Sequence, residues 1–425
     1  MLHVHIERSG PRARYIIGHV LGSMLGWELR FWNDGEDFAS VQGCKLYYGR
    51  ACPGPDTYWV QCDTPLDEGP NEPMVPSAEP RFPARCGEPA FDLFGPAFHL
   101  LSLHEEYRST ETDEHGRMPP NTRWVVRHGL ETRPFLDEWA LALAGSMDLI
   151  WPGALPVHRR YSHWVTIDVD NGSRYIGHGP LRHIAATARD LLFFRFEQVL
   201  ARWKVVLGKR PDPFDNSAWI MERASRTADR VLFFFLLKGG GRYDHAHAAG
   251  SEWFEARVRS VAEVAEIGVH PSYRSSDVPG LMEAECSRAA SLAGAPVTSS
   301  RQHFLRCRVP DTFNQLIEAG IREEHSIGFR DRCGFLVGTC TPFHWFDIVR
   351  NVQSDLLLVP FACMDSALLD VQAEGPVRAG QLMSDMVETV KKVRGTFVSV
   401  WHDRHLGVDG ALSNVFPEVL ETAKP

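Results

Sequence analysis

The sequence lacks several features that would assign a class of protein at once. No two of its nine cysteines have the C-x-x-C spacing, and the closest group, Cys307, Cys333 and Cys340, does not match a zinc ribbon. This spacing predicts mostly reduced, buried thiols in a cytoplasmic protein. The chain has 45 Lys and Arg against 54 Asp and Glu, a net charge of −9 without a long run of like charge. Because nucleic-acid binding needs a basic surface, we expect no nucleic-acid partner.

The sequence also lacks a long apolar run. The nearest candidate, residues 15–27, is interrupted by His19 and by glycines, and it is shorter than the ~18 apolar residues of a membrane-spanning helix. The first ten residues, MLHVHIERSG, contain no basic segment followed by an apolar one, which predicts no signal peptide. We therefore expect a cytoplasmic protein with no membrane partner, and nothing in the sequence indicates an oligomeric state.

The chain length and a change in pattern predict two domains. A chain of 425 residues exceeds the usual size of a single core, and Trp151-Pro152-Gly153 is the clearest break. Residues 1–155 are predicted to form a smaller mixed α/β domain with long loops and unknown role, and residues 156–425 form the second domain. The helices of the first domain are predicted near residues 15–27, 91–108 and 134–145.

Apolar runs typical of strands recur along the second domain, and amphipathic segments lie between several of them. The runs are residues 165–169, 231–237, 265–269, 297–304, 326–329, 356–360 and 397–401. The amphipathic segments are residues 253–264, 282–293 and 379–393. Strands that alternate with helices predict a parallel sheet with right-handed crossovers. Seven such strands favour an α/β fold with a distorted (β/α) barrel, in which the chemistry lies at the carboxyl ends of the strands.

Two of these strands end in residues that suit a metal site. Asp168 and Asp170 close the first run in T-I-D-V-D-N-G, and neighbouring carboxylates are stable together when a cation neutralises them. The alternative is a polar strand end in which Asp170 caps a turn. His270 follows the short strand E-I-G-V, which places it at the same edge. A further string, Asp244-His245-Ala246-His247, could bind a metal or could be a solvent-exposed loop.

The order of these motifs resembles the NodB-type polysaccharide deacetylase domain. The resemblance rests on Asp168 and Asp170, the strand at 233–237, E-I-G-x-H ending at His270, Arg301, and Val400-Trp401-His402. It covers most of the second domain and implies a NodB-like (β/α) barrel. The string FDLFGPAFHLL, with the later EEY and DEHGR, resembles an uncharacterised domain that precedes a subgroup of these barrels. That second similarity implies no function.

The resemblance implies a metal-dependent hydrolase that removes an acetyl or other acyl group from an amino sugar or glycan precursor. Asp168 is then the general base and Asp170 and His270 are metal ligands. His402 is the general acid, and Arg301 orients the base. A divalent metal with nitrogen and oxygen ligands is implied, with Zn²⁺ as the first choice, although manganese, cobalt, nickel and iron accept the same donors.

The sequence departs from the family pattern at the metal ligands. The family usually has a second histidine four residues after the first, where this chain has Arg274. Ser275, Ser276 or His303 could replace it, and we prefer His303 because it lies two residues after Arg301. The alternative is a structural histidine packed under Phe304.

Other departures affect the catalytic assignment and the substrate. The two aspartates are usually adjacent, whereas Val169 separates them here, so the roles of base and ligand between them stay open. Related barrels carry an arginine where Leu336 stands. Phe343, Trp345 and Trp401 could form an aromatic platform for a sugar or belong to the core. Glu324 and His325 are expected at the surface.

Two alternatives to the deacetylase hypothesis follow from the same residues. Barrels of this type also cleave non-sugar amides, so the chain could be a C–N hydrolase on such a substrate. The altered histidine motif and Leu336 also fit a catalytically inactive carbohydrate-binding protein. Metal content and acetate release distinguish these functions.

Overall fold

A computed structural model of the chain describes residues 1–33, 37–62, 66, 80–239, 241–246, 248–372 and 376–425. His247, considered above as a possible ligand, lies outside the described residues. Among the described residues, none of the helices combines the length and apolarity needed to cross a bilayer.

The first part of the chain contains a five-stranded parallel sheet with the order β2-β1-β3-β4-β5. Its strands are β1 (Leu2–Ile6), β2 (Leu29–Trp32), β3 (Lys45–Gly49), β4 (Tyr58–Gln61) and β5 (Pro89–Ala90). In β1 the apolar residues Leu2, Val4 and Ile6 are buried, and the two intervening histidines are half-buried. This alternation follows from the two-residue period of a strand.

Five α-helices accompany this sheet. They are α1 (Pro11–Ile17), α2 (Phe94–Leu101), α3 (His104–Arg108), α4 (Trp124–Arg127) and α5 (Phe135–Ile150). The helix expected near residues 15–27 is α1 and its continuation as a π-helix over Gly18–Met24. The single helix expected over 91–108 is instead two, because Leu103 adopts a left-handed conformation with φ of 54°.

The second part of the chain forms a nine-stranded sheet with the order β11-β12-β10-β9-β8-β7-β6-β14-β13. The strands are β6 (Ser162–Val169), β7 (Arg230–Phe235), β8 (Glu266–Val269), β9 (Ser299–Ser300), β10 (Glu323–Ile327), β11 (Phe343–Asp347), β12 (Val352–Pro360), β13 (Cys363–Met364) and β14 (Thr396–His402). The seven predicted runs correspond to the consecutive parallel strands from β12 to β14 in this order. The two unpredicted strands are β11, which is antiparallel to β12, and the two-residue β13.

Two details of this sheet bear on the site. The run over 297–304 forms a strand only at β9, because the chain then enters a 3₁₀ turn over His303–Leu305 with positive φ at Phe304. The continuous segment 352–364 hydrogen-bonds to two strands that are not neighbours in the sheet order, β10 and β14. Phe361 N donates to Ile327 O of β10 at 2.9 Å, and Ala362 N donates to Val398 O of β14 at 2.9 Å.

Nine helices connect or follow the described strands of the second sheet. They are α6 (Pro180–Leu192), α7 (Phe196–Val206), α8 (Ser217–Ala224), α9 (Glu252–Ala262), α10 (Leu281–Ala293), α11 (Asp311–Glu318), α12 (Asp365–Gln372), α13 (Pro376–Lys392) and α14 (Val415–Thr422). The amphipathic segments predicted near 253–264, 282–293 and 379–393 correspond to α9, α10 and α13.

The strands of the second sheet are covered by apolar packing. Five successive residues of β7, from Val231 to Phe235, are buried, as expected for a parallel strand covered on both faces. Phe235 contacts Phe254 of α9 edge-to-face with ring centroids 6.1 Å apart. Phe343, Trp345 and Trp401 are also buried, so the structure places them in the core and not on an exposed sugar platform. Cys333 and Cys363 form a disulfide and the other seven cysteines are free, so most of the thiols are reduced, as expected.

One buried carboxylate links α5 to the chain that precedes β11. Asp137 is fully buried and accepts hydrogen bonds from Arg159 at 2.6 Å and Thr339 Oγ1 at 2.6 Å. The Cys340 amide at 3.1 Å and Thr341 Oγ1 at 2.5 Å also donate to it. Four donors compensate the loss of hydration of this carboxylate. The contact therefore stabilises the packing of α5 against Arg159 and residues 339–341.

We expect Asp137→Ala to lower the free energy of unfolding by about 3–5 kcal/mol, because it leaves the buried Arg159 guanidinium without its anion. Urea unfolding measures the change. Asp148→Ala, at an exposed position of the same helix, is the matched control and should cost less than about 1 kcal/mol. Equal losses in the two variants would contradict the prediction.

Candidate metal centre

The predicted site residues meet at the carboxyl ends of the parallel strands. Asp168 is the second-last residue of β6 and is paired in register with His402 of β14. His270 follows β8 directly, and Arg301 follows β9. Parallel strands bring their carboxyl ends to one edge, so residues far apart in sequence become neighbours.

Asp168 forms a buried ion pair with Arg301. Arg301 Nη1 donates to Asp168 Oδ1 at 2.8 Å, and both side chains are almost fully buried. Arg301 Nε donates to the carbonyl of His325 at 3.0 Å, and its guanidinium lies 4.6 Å from the ring centroid of Phe234. These contacts fix the guanidinium plane, and the charge-assisted hydrogen bond fixes the orientation of the Asp168 carboxylate.

Asp170 forms a second group with two histidines. His270 Nε2 lies 3.2 Å and His303 Nε2 lies 3.9 Å from Asp170 Oδ1. All three side chains are buried, and one ligand atom from each lies within 4.8 Å of the others. The Nδ1 atom of His270 contacts the carbonyl oxygen of Arg301, and His303 Nδ1 lies 3.0 Å from Asp244 Oδ1.

The outer contacts of the two histidines determine which nitrogen carries a proton. A carbonyl and a carboxylate can only accept a hydrogen bond, so each neutral ring carries its proton on Nδ1 and presents the Nε2 lone pair to Asp170. Asp170 Oδ1 is buried and has no hydrogen-bond donor of suitable geometry among the described residues. With both rings neutral, three acceptor atoms face one another in a buried space, an arrangement that a cation (a proton or a metal ion) would stabilise.

The charges around these atoms favour a cation for the same reason. Burial opposes ionisation of Asp170, but Arg404 and His402 outweigh it and hold the pKa of this carboxyl well below its usual range. Burial also disfavours charge on His270, but Asp168 and Asp170 outweigh it and raise the pKa of the imidazole. Asp170, His270 and His303 could thus hold a metal ion, and one carboxylate with two imidazoles is a donor set used by zinc and other first-row metals.

His402 belongs to an adjoining group centred on Asp365, the first residue of α12. Asp365 Oδ1 lies 2.6 Å from His402 Nδ1, and Asp365 Oδ2 lies 2.8 Å from His405 Nδ1. The second nitrogen of His402, Nε2, lies 3.5 Å from Asp170 Oδ2. Burial opposes ionisation of Asp365, but the two histidines outweigh it and lower the pKa of the carboxyl. Asp365 therefore orients His402, with Nε2 towards the metal-ligand group.

The residues after His402 supply further charge. The Arg404 guanidinium contacts Asp170 Oδ2, and its Nε lies 3.2 Å from His405 Nε2. Asp403 is fully buried, and burial raises the pKa of its carboxyl to about 6 despite Arg257, whose Nη2 lies 3.5 Å away. The segment from His402 to His405 thus contributes four titratable side chains at or beside the site.

The structure brings together all six residues proposed as site residues from the sequence, namely Asp168, Asp170, His270, Arg301, His303 and His402. Among the candidates for the missing ligand, Ser275 Oγ donates to Ser272 O at 2.7 Å and Ser276 Oγ donates to Arg306 O at 3.4 Å. Both hydroxyls are thus engaged by backbone carbonyls, whereas His303 lies with Asp170 and His270 in a group that could hold a metal ion.

Several neighbours of the site were missed or misplaced by the sequence analysis. Asp244 is buried against His303, although His245 beside it is exposed. Glu324 and His325 are fully buried, which corrects their expected surface position. Glu324 accepts hydrogen bonds from the hydroxyls of Ser300 and Ser326. Asp365, Arg404 and His405 were also missed; the last two had a signal in the W-H-D-R-H string, while Asp365 had none.

Comparison with known proteins gives one family and several distant structures. A family of unknown function, DUF7033, matches residues 2–152, which is less than half of the chain. No curated protein matches the sequence of this chain.

Three solved structures illustrate the distant similarity. A Mycobacterium smegmatis protein provisionally named a polysaccharide deacetylase is 16% identical, with 57% of this chain and 77% of that chain covered and a TM-score of 0.35. The 4-alpha-glucanotransferase from Thermococcus litoralis is 13% identical, with 62% of this chain and 37% of that chain covered and a TM-score of 0.35. The polysaccharide deacetylase Bc1974 from Bacillus cereus is 12% identical, with 62% of this chain and 87% of that chain covered and a TM-score of 0.30. TM-scores below 0.5 do not establish a shared fold, so no activity is transferred from these proteins.

We expect Asp168→Asn and Arg301→Met each to lower the free energy of unfolding by about 3–5 kcal/mol, because each leaves a buried polar partner unpaired. The double variant should cost about 2 kcal/mol less than the sum, since neither charge remains. A double-mutant cycle by urea unfolding measures this coupling. The exposed pair Arg226 and Glu222, 3.5 Å apart, is the control and should couple by less than about 1 kcal/mol. Additive losses at Asp168 and Arg301 would contradict the prediction.

Proposed function

We propose that this chain is a metal-dependent hydrolase that removes an acetyl or other acyl group from an amino sugar or glycan precursor. The observation that carries the proposal is that Asp170 Oδ1 lies close to the Nε2 atoms of two buried histidines. A second carboxylate, Asp168, and a histidine bound to a carboxylate, His402, lie beside this group. Metal-assisted hydrolysis of an amide uses these parts: a cation site, a proton acceptor and a proton donor. The sugar substrate is inferred from the resemblance in motif order.

Asp170, His270 and His303 are the proposed metal ligands. The Nδ1 contacts of the histidines, to a backbone carbonyl and to Asp244, hold both rings in the orientation that a metal requires. When bound, a divalent metal such as Zn²⁺ lowers the pKa of a water molecule and polarises the acyl carbonyl. Asp244 is a positioning residue in this arrangement, because it acts through His303.

Asp168 is the proposed general base. It is absent from the ligand group but adjoins it, and its Oδ1 is engaged by Arg301. The role left open between the two aspartates is therefore assigned by their partners: the carboxylate with an orphaned oxygen binds the cation, and the carboxylate held by arginine accepts the proton of the attacking water. Arg301 orients the base and lies too deep in the protein to contact the substrate.

His402 is the proposed general acid. Its Nδ1 is held by Asp365, so the nitrogen that can exchange a proton with the substrate is Nε2, on the side of Asp170. Protonation of the leaving amine by Nε2 completes the reaction: water supplies the hydroxyl group to the acyl carbon, Asp168 takes one proton, and His402 gives one to the departing nitrogen. Asp365 is a positioning residue for this step.

The proposed fold of the catalytic part is a seven-membered barrel over residues 156–425, preceded by a domain over residues 1–155. The support is the segment 352–364, which hydrogen-bonds to β10 through Phe361 and to β14 through Ala362. With this segment counted as one strand, the parallel strands form a ring of seven. Closure of the ring gathers the ends of β6, β8, β9 and β14 around one opening.

We expect the purified protein to bind one equivalent of Zn²⁺, and His303→Ala or Asp170→Ala to abolish stoichiometric binding by removing a ligand. Asp244→Asn should lower affinity about 10–100-fold, since it weakens the contact that orients His303. Isothermal titration of Zn²⁺ into the metal-free protein provides the affinities.

The control for metal binding is His163→Ala, which removes a fully buried histidine outside the site and should leave the affinity unchanged. Wild-type affinity in His303→Ala would refute the assignment of that ligand. Unchanged affinity in all three site variants would refute the metal centre.

We expect the metal-loaded protein to release acetate from a member of a panel of N-acetylated amino sugars and their oligomers. Asp168→Asn should lower kcat about 10²–10⁴-fold with the bound metal retained, because it removes the proton acceptor without removing a ligand. Asp212→Asn, a change at another buried carboxylate, is the control for a general effect of losing a buried charge. Acetate release only from non-sugar amides would assign the C–N hydrolase alternative, and sugar binding without any release would assign the binding-protein alternative.

A further inference from the structure

The connection between β6 and β7 contains a helical hairpin with an unusual exposed surface. Its helices, α6 and α7, carry large apolar side chains in solvent, with exposed fractions from 39% to 83%. The most prominent are Leu181, Ile184, Leu192, Phe193, Phe194 and Phe196. Apolar patches of this kind on a soluble surface mark an interaction site.

The apolar residues of each helix occupy one face. In α6, Leu181, Ile184 and Leu191 follow helical spacing, and in α7 Phe196, Leu200 and Leu207 (the residue just after its end) do the same. Leu192, Phe193 and Phe194 lie between these faces at the turn, where Phe194 has a positive φ of 56°. The exposed faces and the turn therefore form one apolar surface, the hairpin surface.

The interior of the hairpin contains a network of polar side chains beside the buried Val205. Asp190 of α6 is fully buried and paired with Arg202 of α7, and Arg202 also donates to Thr187 Oγ1 at 3.2 Å. The indole Nε1 of Trp203 donates to the same hydroxyl at 3.1 Å. This distribution is the reverse of a soluble hairpin, in which apolar side chains fill the interior and ion pairs face water. The hydrophobic effect stabilises this arrangement only if something covers the hairpin surface.

The charge of the hairpin indicates what covers it. Residues 180–210 contain seven Lys and Arg and two acidic residues, in a chain whose net charge is −9. The exposed cations flank the apolar residues; they include Arg182, Arg189, Arg195, Lys204 and Lys209. Apolar side chains ringed by cations complement an anionic lipid surface, which offers acyl chains beneath phosphate groups.

We propose that the hairpin surface binds the interface of an anionic lipid bilayer, with the turn and the apolar faces inserted below the headgroups and the cations at the phosphates. The helices are too short to span, since α6 has 13 residues and α7 has 11, against about 20 for a bilayer. Interfacial binding needs no spanning segment. The sequence-based expectation of no membrane partner considered only spanning helices, and this proposal replaces it.

A second copy of the chain is a less suitable occupant. In a two-fold interface the same surface meets itself, so the basic rims of two hairpins would face each other and repel. Lipid phosphates remove this repulsion. The hairpin also emerges from the strand end that carries Asp170, and Tyr175 and Arg174 of the connecting loop donate backbone hydrogen bonds to Asp212 at 2.8 Å.

Vesicle co-sedimentation of the full chain tests the proposal. We expect sedimentation with phosphatidylcholine vesicles that contain phosphatidylglycerol, weaker sedimentation with phosphatidylcholine alone, and a loss of binding at high salt. Replacing three phenyl rings in Phe193→Ser/Phe194→Ser/Phe196→Ser should lower the partition coefficient at least about tenfold. Reversing charge in Arg189→Glu/Arg195→Glu/Lys204→Glu should lower it by roughly fivefold or more per residue.

Two matched variants control for the number and type of changes. Leu149→Ser/Val349→Ser/Val408→Ser removes three apolar side chains that are equally exposed elsewhere, and Arg85→Glu/Arg226→Glu/Lys392→Glu reverses three exposed cations elsewhere. Both should bind vesicles as the wild type does. Wild-type binding by the triple-Phe variant would overturn the proposal. Absence of vesicle binding, with a solution dimer that the triple-Phe variant converts to a monomer by light scattering, would overturn it in favour of self-association.

Discussion

Buried carboxylates at the ends of β6 and β13 impose the constraint on which the site depends. An anion removed from water is stable only in contact with positive charge or several donors. Arg301 neutralises Asp168, Arg404 contacts one oxygen of Asp170, and two histidines surround Asp365. The second oxygen of Asp170 has no hydrogen-bond donor among the described residues and lies near the Nε2 atoms of His270 and His303. The need to neutralise buried charge at this edge of the sheet thus marks a place where a cation could bind.

Arg301 connects the two halves of the site. Its side chain holds Asp168, while its backbone carbonyl accepts the Nδ1 proton of His270. β9 is only two residues long, and the chain enters a 3₁₀ turn at His303 soon after it. Because Arg301 and His303 are two residues apart, they would face the same side in an extended chain, and His303 Nε2 lies 3.9 Å from Asp170 Oδ1.

The parts of this architecture that could be predicted from the sequence are those with local signals. Apolar runs in the sequence predict the parallel strands. Because parallel strands align their carboxyl ends, the ends of these runs also locate Asp168, His270 and His402. Asp365 could not be predicted, since it follows a two-residue strand whose existence depends on pairing with β14. Glu324 and His325 were placed at the surface because polar residues usually lie there. In a parallel strand covered on both faces they are buried, and serine hydroxyls satisfy the carboxylate.

The hairpin of α6 and α7 reverses the distribution of polarity that stabilises the rest of the chain. Elsewhere the apolar side chains of strands and helices pack against one another, whereas here the ion pair of Asp190 and Arg202 is interior and the phenyl rings are exterior. A buried ion pair adds little stability by itself, because desolvation of both charges offsets their attraction. The free energy that favours this arrangement must therefore come from transfer of the exterior side chains out of water. An anionic bilayer provides that transfer and also complements the positive charge around the exposed apolar side chains.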